Sequence, residues 1–146
     1  MIRRVLHPSD FSKASSAAFK KAVEMAKADR AELMVVHVVN PIVPVVGEGY
    51  VSPKMYEDVA ESTRAWAQKQ LDKLLAKAKQ AGARAKGLVL EGVAHEQIVR
   101  FAKSKRVDLV VLGTHGRSGL AKLFLGSVAE RVVASATCPV LTVRGR

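Results

Sequence analysis

Two short segments carry the residues whose types and spacing can do chemistry. One is Gly113-Thr114-His115-Gly116-Arg117-Ser118-Gly119, followed by Gly126-Ser127 at the head of a helical pattern. Glycine lacks a Cβ, so backbone there can take positive φ and turn its amides toward an anion. Gly126 and Ser127 add the free N–H groups and positive dipole end of a helix, with a hydroxyl donor on Ser127. The matching chemistry is phosphate binding. The same glycines can also simply build a turn, and spacing alone leaves both readings open. The segment lacks the Gly-Lys-Ser/Thr of a P-loop, and it does not follow the first strand as a dinucleotide fingerprint does. The other segment is His7-Pro8-Ser9-Asp10. Asp10 offers hard oxygens suited to a phosphate-bound Mg²⁺, or equally an acceptor that caps a helix.

The elements that must position these segments follow from apolar period. Ile2 to Leu6 reads as a first strand, ended by Pro8. From Ser12 to Lys27, Ala14, Ala17, Ala18, Val23, Met25 and Ala26 recur at helical spacing, with Ser9, Asp10 and Ser12 as candidate caps. Leu33 to Val39 reads as a second strand. A helix is expected from about Glu57 to Ala81, with Val59, Trp66, Leu71, Leu74, Leu75 and Ala78 as its stripe and Gly82 as its stop. Leu88 to Leu90 is a third strand, His95 to Lys105 a third helix and Val107 to Leu112 a fourth strand. Gly126 to Ser135 is a fourth helix, and Val140 to Val143 a fifth strand. Strict strand–helix alternation implies an α/β domain with a parallel sheet and helices on both faces. Ligands of such sheets bind beyond the carboxyl ends of the strands, near the switch in strand order. The segments after strands one and four should therefore meet. Asn40 to Lys54, with three prolines and two glycines, is the least regular stretch and reads as a flap.

Composition narrows the function classes. The chain has 146 residues, 49% of them hydrophobic and only 5% aromatic, so one domain with an aliphatic core is expected. The lone cysteine, Cys138, cannot form an internal disulfide and, ahead of Pro139, reads as packing rather than a nucleophile. The first residues hold no apolar run fit for a secretory leader. No segment approaches the roughly 20 apolar residues of a membrane-spanning helix, so the cytoplasm is the expected location. A net charge of +11 favours anionic partners. The cations are spread along the chain, as in the stripe Lys69, Lys73 and Lys77, without the aromatic interleaving of a nucleic-acid reader. His7, His37 and His95 have no metal-ligand spacing, so no protein-only metal site is expected.

Taken together, Gly113-x2-Gly116-x9-Gly126-Ser127 resembles the G-x2-G-x9-G-S/T nucleotide motif of the universal stress protein family. Pro8-Ser9-Asp10-Phe11-Ser12 resembles the segment after that family's first strand, and His37-Val38 the end of its second. Gly92 to Ile98 is similar to its approach to helix three, and Cys138-Pro139-Val140-Leu141 to its entry into the last strand. Only Asn40 to about Ala83 offers little to match. The resemblance implies a flavodoxin-like, doubly wound three-layer sandwich whose five-stranded parallel sheet has the order 3-2-1-4-5. It also implies ATP, with Mg²⁺, in the crevice between strands one and four. Carried over residue by residue, Pro8, Ser9 and Asp10 line the ribose and phosphate side, with Asp10 nearest the metal. Val38 brings backbone groups to the adenine edge, and Leu112 and Gly113 meet the ribose. Gly116, Gly126, Ser127 and Val128 wrap the phosphates. His115 and Arg117 stand in the same loop as nucleotide contacts, His115 without a carboxylate partner and Arg117 as either a phosphate partner or a solvated side chain. Ala129 departs from members that place a hydroxyl there, a loss on the order of 1 kcal/mol.

Three functions compete. The first is a nucleotide-holding regulatory or stress-response module with little or slow hydrolysis, since no catalytic constellation is visible. A nucleotide-independent member acting through its dimer and protein partners is its variant. The second is an adenylyl- or phosphoryl-transferring enzyme, which needs an acceptor pocket under the flap at Val43 to Met55. The third, a nucleic-acid binder, rests on charge alone. The resemblance further implies a homodimer that pairs the last strand, Val140, Leu141, Thr142 and Val143, with its copy, protecting an apolar edge.

Overall fold

The computed structural model describes residues 1–41, 52–114 and 126–145. The elements run β1 (Arg4–Pro8), α1 (Lys13–Ala28), β2 (Glu32–Val39), α2 (Pro53–Gln80), β3 (Arg84–Glu91), α3 (Ala94–Ser104), β4 (Leu109–Thr114), α4 (Ser127–Ser135) and β5 (Val140–Arg144). The strands form one parallel sheet of order β3-β2-β1-β4-β5. This is the doubly wound, flavodoxin-like arrangement that the alternation and the resemblance predict.

Side-chain alternation along each strand builds the two cores. Val5, Leu33, Val35, Leu109 and Val111 face α1 and α2, meeting Ala18, Ala22, Leu71 and Ala78. Leu6, Met34, Val36, Val110 and Leu112 face α3 and α4, meeting Ile98, Ala102, Ala129 and Val132. Central strands that are apolar on both faces over most of their length are what a sheet covered on both sides requires.

The ladder is uneven. β1 pairs with β2 from Arg4↔Glu32 to Pro8↔Val36, but with β4 only at Val5↔Leu109 and Leu6↔Val110. Chemistry explains the split. The Ser9 amide donates to the Val36 carbonyl of β2 at 2.9 Å, so by alternation the residue-8 amide would point toward β4. Residue 8 is proline and has no N–H to give. The strands part there, beside the switch in strand order.

Several boundaries differ from the expected ones. β1 and β4 each begin later, because Asp108 precedes its strand and its carboxylate accepts the amides of Arg3 and Arg4 at 2.8 and 2.9 Å. α2 starts at Pro53 rather than Glu57: Ser52 caps it by accepting the Met55 amide at 3.2 Å, and proline needs no partner in a first turn. The helix buries Ala67, Leu71 and Ala78, whereas Val59 and Trp66, placed on its stripe by period, are 53% and 46% exposed. Its N-terminal half has less of the sheet to cover. β3 is eight residues long, not three, because an edge strand tolerates the cations at Arg84 and Lys86. Gly82, with φ of 94°, ends α2 as expected.

Candidate functional site

A cleft of about 320 Å³ opens where β1 and β4 part. Pro8, Ser9 and Asp10 enter it from the end of β1, Val36, His37 and Val38 from β2, and Leu112 and Gly113 from β4. Ala94 and Ile98 of α3 close one side, Gly126 to Ala129 the far end, and Ser15 of α1 reaches in from the opposite layer. Of the residues expected to contact a nucleotide, the described ones, Pro8, Ser9, Asp10, Val38, Leu112, Gly113, Gly126, Ser127 and Val128, all line this cleft. His115, Gly116, Arg117 and the flap's residues 43–51 lie outside the described residues.

The cleft has two chemistries. Val36, Val38, Ala94, Ile98 and Leu112 form an apolar slot fit for a flat heterocycle. At its other end, Gly126 to Ala129 line the cleft, and Gly126, the N-cap of α4, has no side-chain oxygen to cap the helix, so the positive dipole end of α4 stands at the cleft. Across from them, the Asp10 carboxylate accepts the Ser12 amide at 2.9 Å through Oδ1. Ser12, not Asp10, caps α1, accepting the Ser15 amide at 3.2 Å. Asp10 is thus a loop carboxylate at the cleft rather than the helix cap. Ser9 Oγ accepts the Phe11 amide at 3.0 Å and sits 3.4 Å from Ser15 Oγ, which donates to the Ser12 carbonyl at 2.8 Å. Gly113 leaves the space that lets α1 approach: a Cβ there would stand 3.2 Å from the Ser15 Cα.

Beneath the cleft floor lies His7, wholly buried. Continuing the β1–β4 register would bring the residue-8 amide to the Val111 carbonyl. Instead, the Nδ1 of His7 lies 2.9 Å from that oxygen and, since a carbonyl only accepts, carries the hydrogen. The histidine side chain does what the proline backbone cannot. Its Nε2 is buried with no hydrogen-bond partner among the described residues. Burial outweighs the Val111 bond and the Asp10 charge and lowers the His7 pKa to about 4, so the ring is neutral at pH 7. Cys138 is half-buried with its thiol pushed up by desolvation, which suits packing rather than attack.

The sequence did not point to Ser15, Val36, His37, Ala94 and Ile98 as cleft residues. Ala94 and Ile98 lie one turn apart on α3 and were available from its period; Ser15 becomes visible only once α1 is docked. Ala129, the departure from family members with a hydroxyl, is 2% exposed and packs in the core beside Val132. Among the described residues, no group of three or more His, Cys, Asp or Glu could hold a metal, and no helix is long and apolar enough to cross a membrane.

Residues 1–144 match the Universal stress protein family. The chain belongs to that family. Universal stress protein MJ0531 of Methanocaldococcus jannaschii is 38% identical over 146 residues, which cover 99% of this chain and 83% of the relative. Among solved structures, universal stress protein UspA from Lactobacillus plantarum superposes with a TM-score of 0.83 at 26% identity, covering 98% of each chain. A universal stress protein in complex with cAMP superposes with a TM-score of 0.75 at 25% identity, covering 99% of this chain and 98% of that one. The cleft, with an apolar slot at one end and the start of α4 at the other, therefore sits in a family fold.

Proposed function

We propose that this universal stress protein holds an adenine nucleotide in the β1–β4 cleft, as ATP with Mg²⁺, and serves as a cytoplasmic regulatory or stress-response module. One observation carries the reading: a single cleft joins an apolar slot to an uncapped helix N-terminus and a carboxylate. Adenine would lie against Val36, Val38, Ile98 and Leu112, with the ribose by Pro8, Ser9 and Gly113. The phosphates would take the amides of Gly126, Ser127 and Val128. Asp10 fits Mg²⁺ as one hard oxygen ligand, because that ion keeps several waters and phosphate oxygens rather than an all-protein cage. The family member solved with cAMP supports an adenine nucleotide as ligand.

Holding, rather than rapid turnover, is favoured by the cleft's chemistry. Its described titratable side chains are Asp10 and His37, and the His37 Nδ1 is engaged with the Ser9 carbonyl at 2.7 Å. Two copies would pair through β5, the sheet-edge strand whose Val140, Leu141, Thr142 and Val143 are half-buried in the single chain.

Titration calorimetry of nucleotide-stripped protein with ATP and Mg²⁺ tests the reading. A micromolar Kd, about 8 kcal/mol of binding, is expected. Ala94→Phe should weaken it more than tenfold by filling the slot. Absence of binding by the unmodified protein would refute a nucleotide site, and turnover of ATP at several per second would refute a holding module.

A further inference from the structure

Phe11 stands between the cleft carboxylate Asp10 and the α1 cap Ser12 with φ of 63°. A bulky side chain at positive φ clashes with its own backbone, so the conformation persists only where surrounding contacts hold it. Those contacts are aromatic. The Phe11 ring stacks on the His37 imidazole, centroids 4.3 Å apart and planes 27° from parallel. Trp66 of α2 meets Phe11 edge-on at 5.6 Å and 84°, and stands across His37 at 6.5 Å and 75°. His37 also grips the loop directly, its Nδ1–H donating to the Ser9 carbonyl at 2.7 Å.

Neither Phe11 nor Trp66 lines the cleft, whereas Ser9 and Asp10 on one side of Phe11 do. We infer that Phe11, His37 and Trp66 form a positioning clamp: pressed on the loop from the α2 side, it fixes the turn that aims Asp10 into the cleft. The strain at Phe11 makes the clamp matter. Were the rings released, residue 11 would relax toward negative φ. That relaxation would turn the chain after residue 11 and take the Ser12 amide off Asp10 Oδ1, now at 2.9 Å, and would free the loop in which Ser9 Oγ holds the Phe11 amide at 3.0 Å. Trp66 is the outer jaw, 46% exposed on the stretch of α2 that covers little of the core, so events on that helix reach Asp10 through two ring contacts. For its binding consequence the inference rests on the nucleotide reading above; the clamp itself does not.

Trp66→Ala separates the two, because alanine suits an exposed helix position and the fold stays intact. Residue-resolved amide hydrogen exchange should quicken at Phe11 and Ser12 by tenfold or more, while core amides of β2 and β4 keep their rates. Trp66→Phe should restore protection. In a Phe11→Gly background, where glycine accepts the positive φ and no ring is stacked, Trp66→Ala should change nothing at Ser12. Calorimetry of the same proteins with Mg-ATP should show Trp66→Ala binding several-fold more weakly and Trp66→Phe near the original affinity. Unchanged Phe11 and Ser12 exchange in Trp66→Ala overturns the clamp, as does a rise shared by every amide. Faster exchange with unchanged Mg-ATP affinity overturns its positioning of the cleft. Should the unmodified protein bind no nucleotide, the functional reading falls and the exchange rates alone decide the clamp.

Discussion

Acidifying the protein from pH 6.5 to 4.5 should weaken its fold through one side chain, His7. In the folded chain the ring is fully buried and its pKa is about 4, against 6.5 ordinarily. The folded state therefore keeps His7 neutral at pH values where the unfolded chain takes up a proton. Stability from this group is complete above 6.5, falls as the pH drops toward 4, and loses nothing more below that. At 1.36 kcal/mol per unit the whole gap is worth about 3 kcal/mol, and the stretch from pH 6.5 to 4.5 about 2 kcal/mol. That is a large part of the 5–15 kcal/mol typical of a domain. Asp108 also loses its contribution in acid, but its carboxyl is held below the ordinary 3.8 by the Arg3 and Arg4 amides, so that loss comes at lower pH. Urea unfolding at half-unit steps between pH 7.5 and 4.5 measures the slope. The sequence contains four histidines, so His7→Asn is the control. Its side-chain amide sits near the position of Nδ1, keeps a donor for the Val111 carbonyl and does not titrate. The variant should be less stable throughout yet much flatter. A flat profile for the unmodified protein, or equal slopes for both, would refute the account of a neutral, buried ring.

Two further outcomes test the same region. Gly113→Val should cost about 1–3 kcal/mol in chemical unfolding, since its Cβ meets α1 backbone at 3.2 Å (Ser15 Cα) and 3.4 Å (Ala14 carbonyl), and α1 must move away from β4; unchanged stability would mean the helix yields freely. His7→Leu should cost about 1–3 kcal/mol by leaving the Val111 carbonyl without its donor, but markedly less in a Pro8→Ala background, where a backbone amide is available to replace it. Equal costs in both backgrounds would break the link drawn between residues 7 and 8.

What the sequence made legible depends on how local its cause is. Leu33 to Val39 is apolar at nearly every position, which identifies a strand covered on both faces without knowledge of its neighbours. The meeting of Pro8-Ser9-Asp10 with Leu112-Gly113 followed from strand order, a topological rule indifferent to packing. Choices among equivalent local chemistries were hidden. Ser9, Asp10 and Ser12 all offer capping oxygens, and only the path of the chain gives the cap to Ser12 and turns Asp10 to the cleft. Helical period likewise grouped Val59 and Trp66 with Leu71, although period reports which face is apolar and not how far along the helix the sheet extends. His7 read as one polar residue closing an apolar run. Its role needs the β1–β4 register, which no single strand contains.

Those two adjacent residues tie the fold to its site. A β1–β4 ladder that continued past Leu6↔Val110 would bring the two strand ends together and close over the space the cleft occupies. Proline stops it by withholding an amide, and the penalty of a buried, unpaired Val111 carbonyl would then fall on the sheet's centre. The His7 Nδ1–H removes that penalty from within the α1-side core, where it occupies no cleft volume. The opening is thus held by hydrogen bonds made elsewhere, Ser9 to Val36 on one side and His7 to Val111 on the other, rather than by missing structure. The backbone groups at the parting of β1 and β4 thus find partners within the chain, while the His7 Nε2 remains without one among the described residues. What a ligand would still supply is partners for the amides at the start of α4, to which Gly126 offers no side-chain cap.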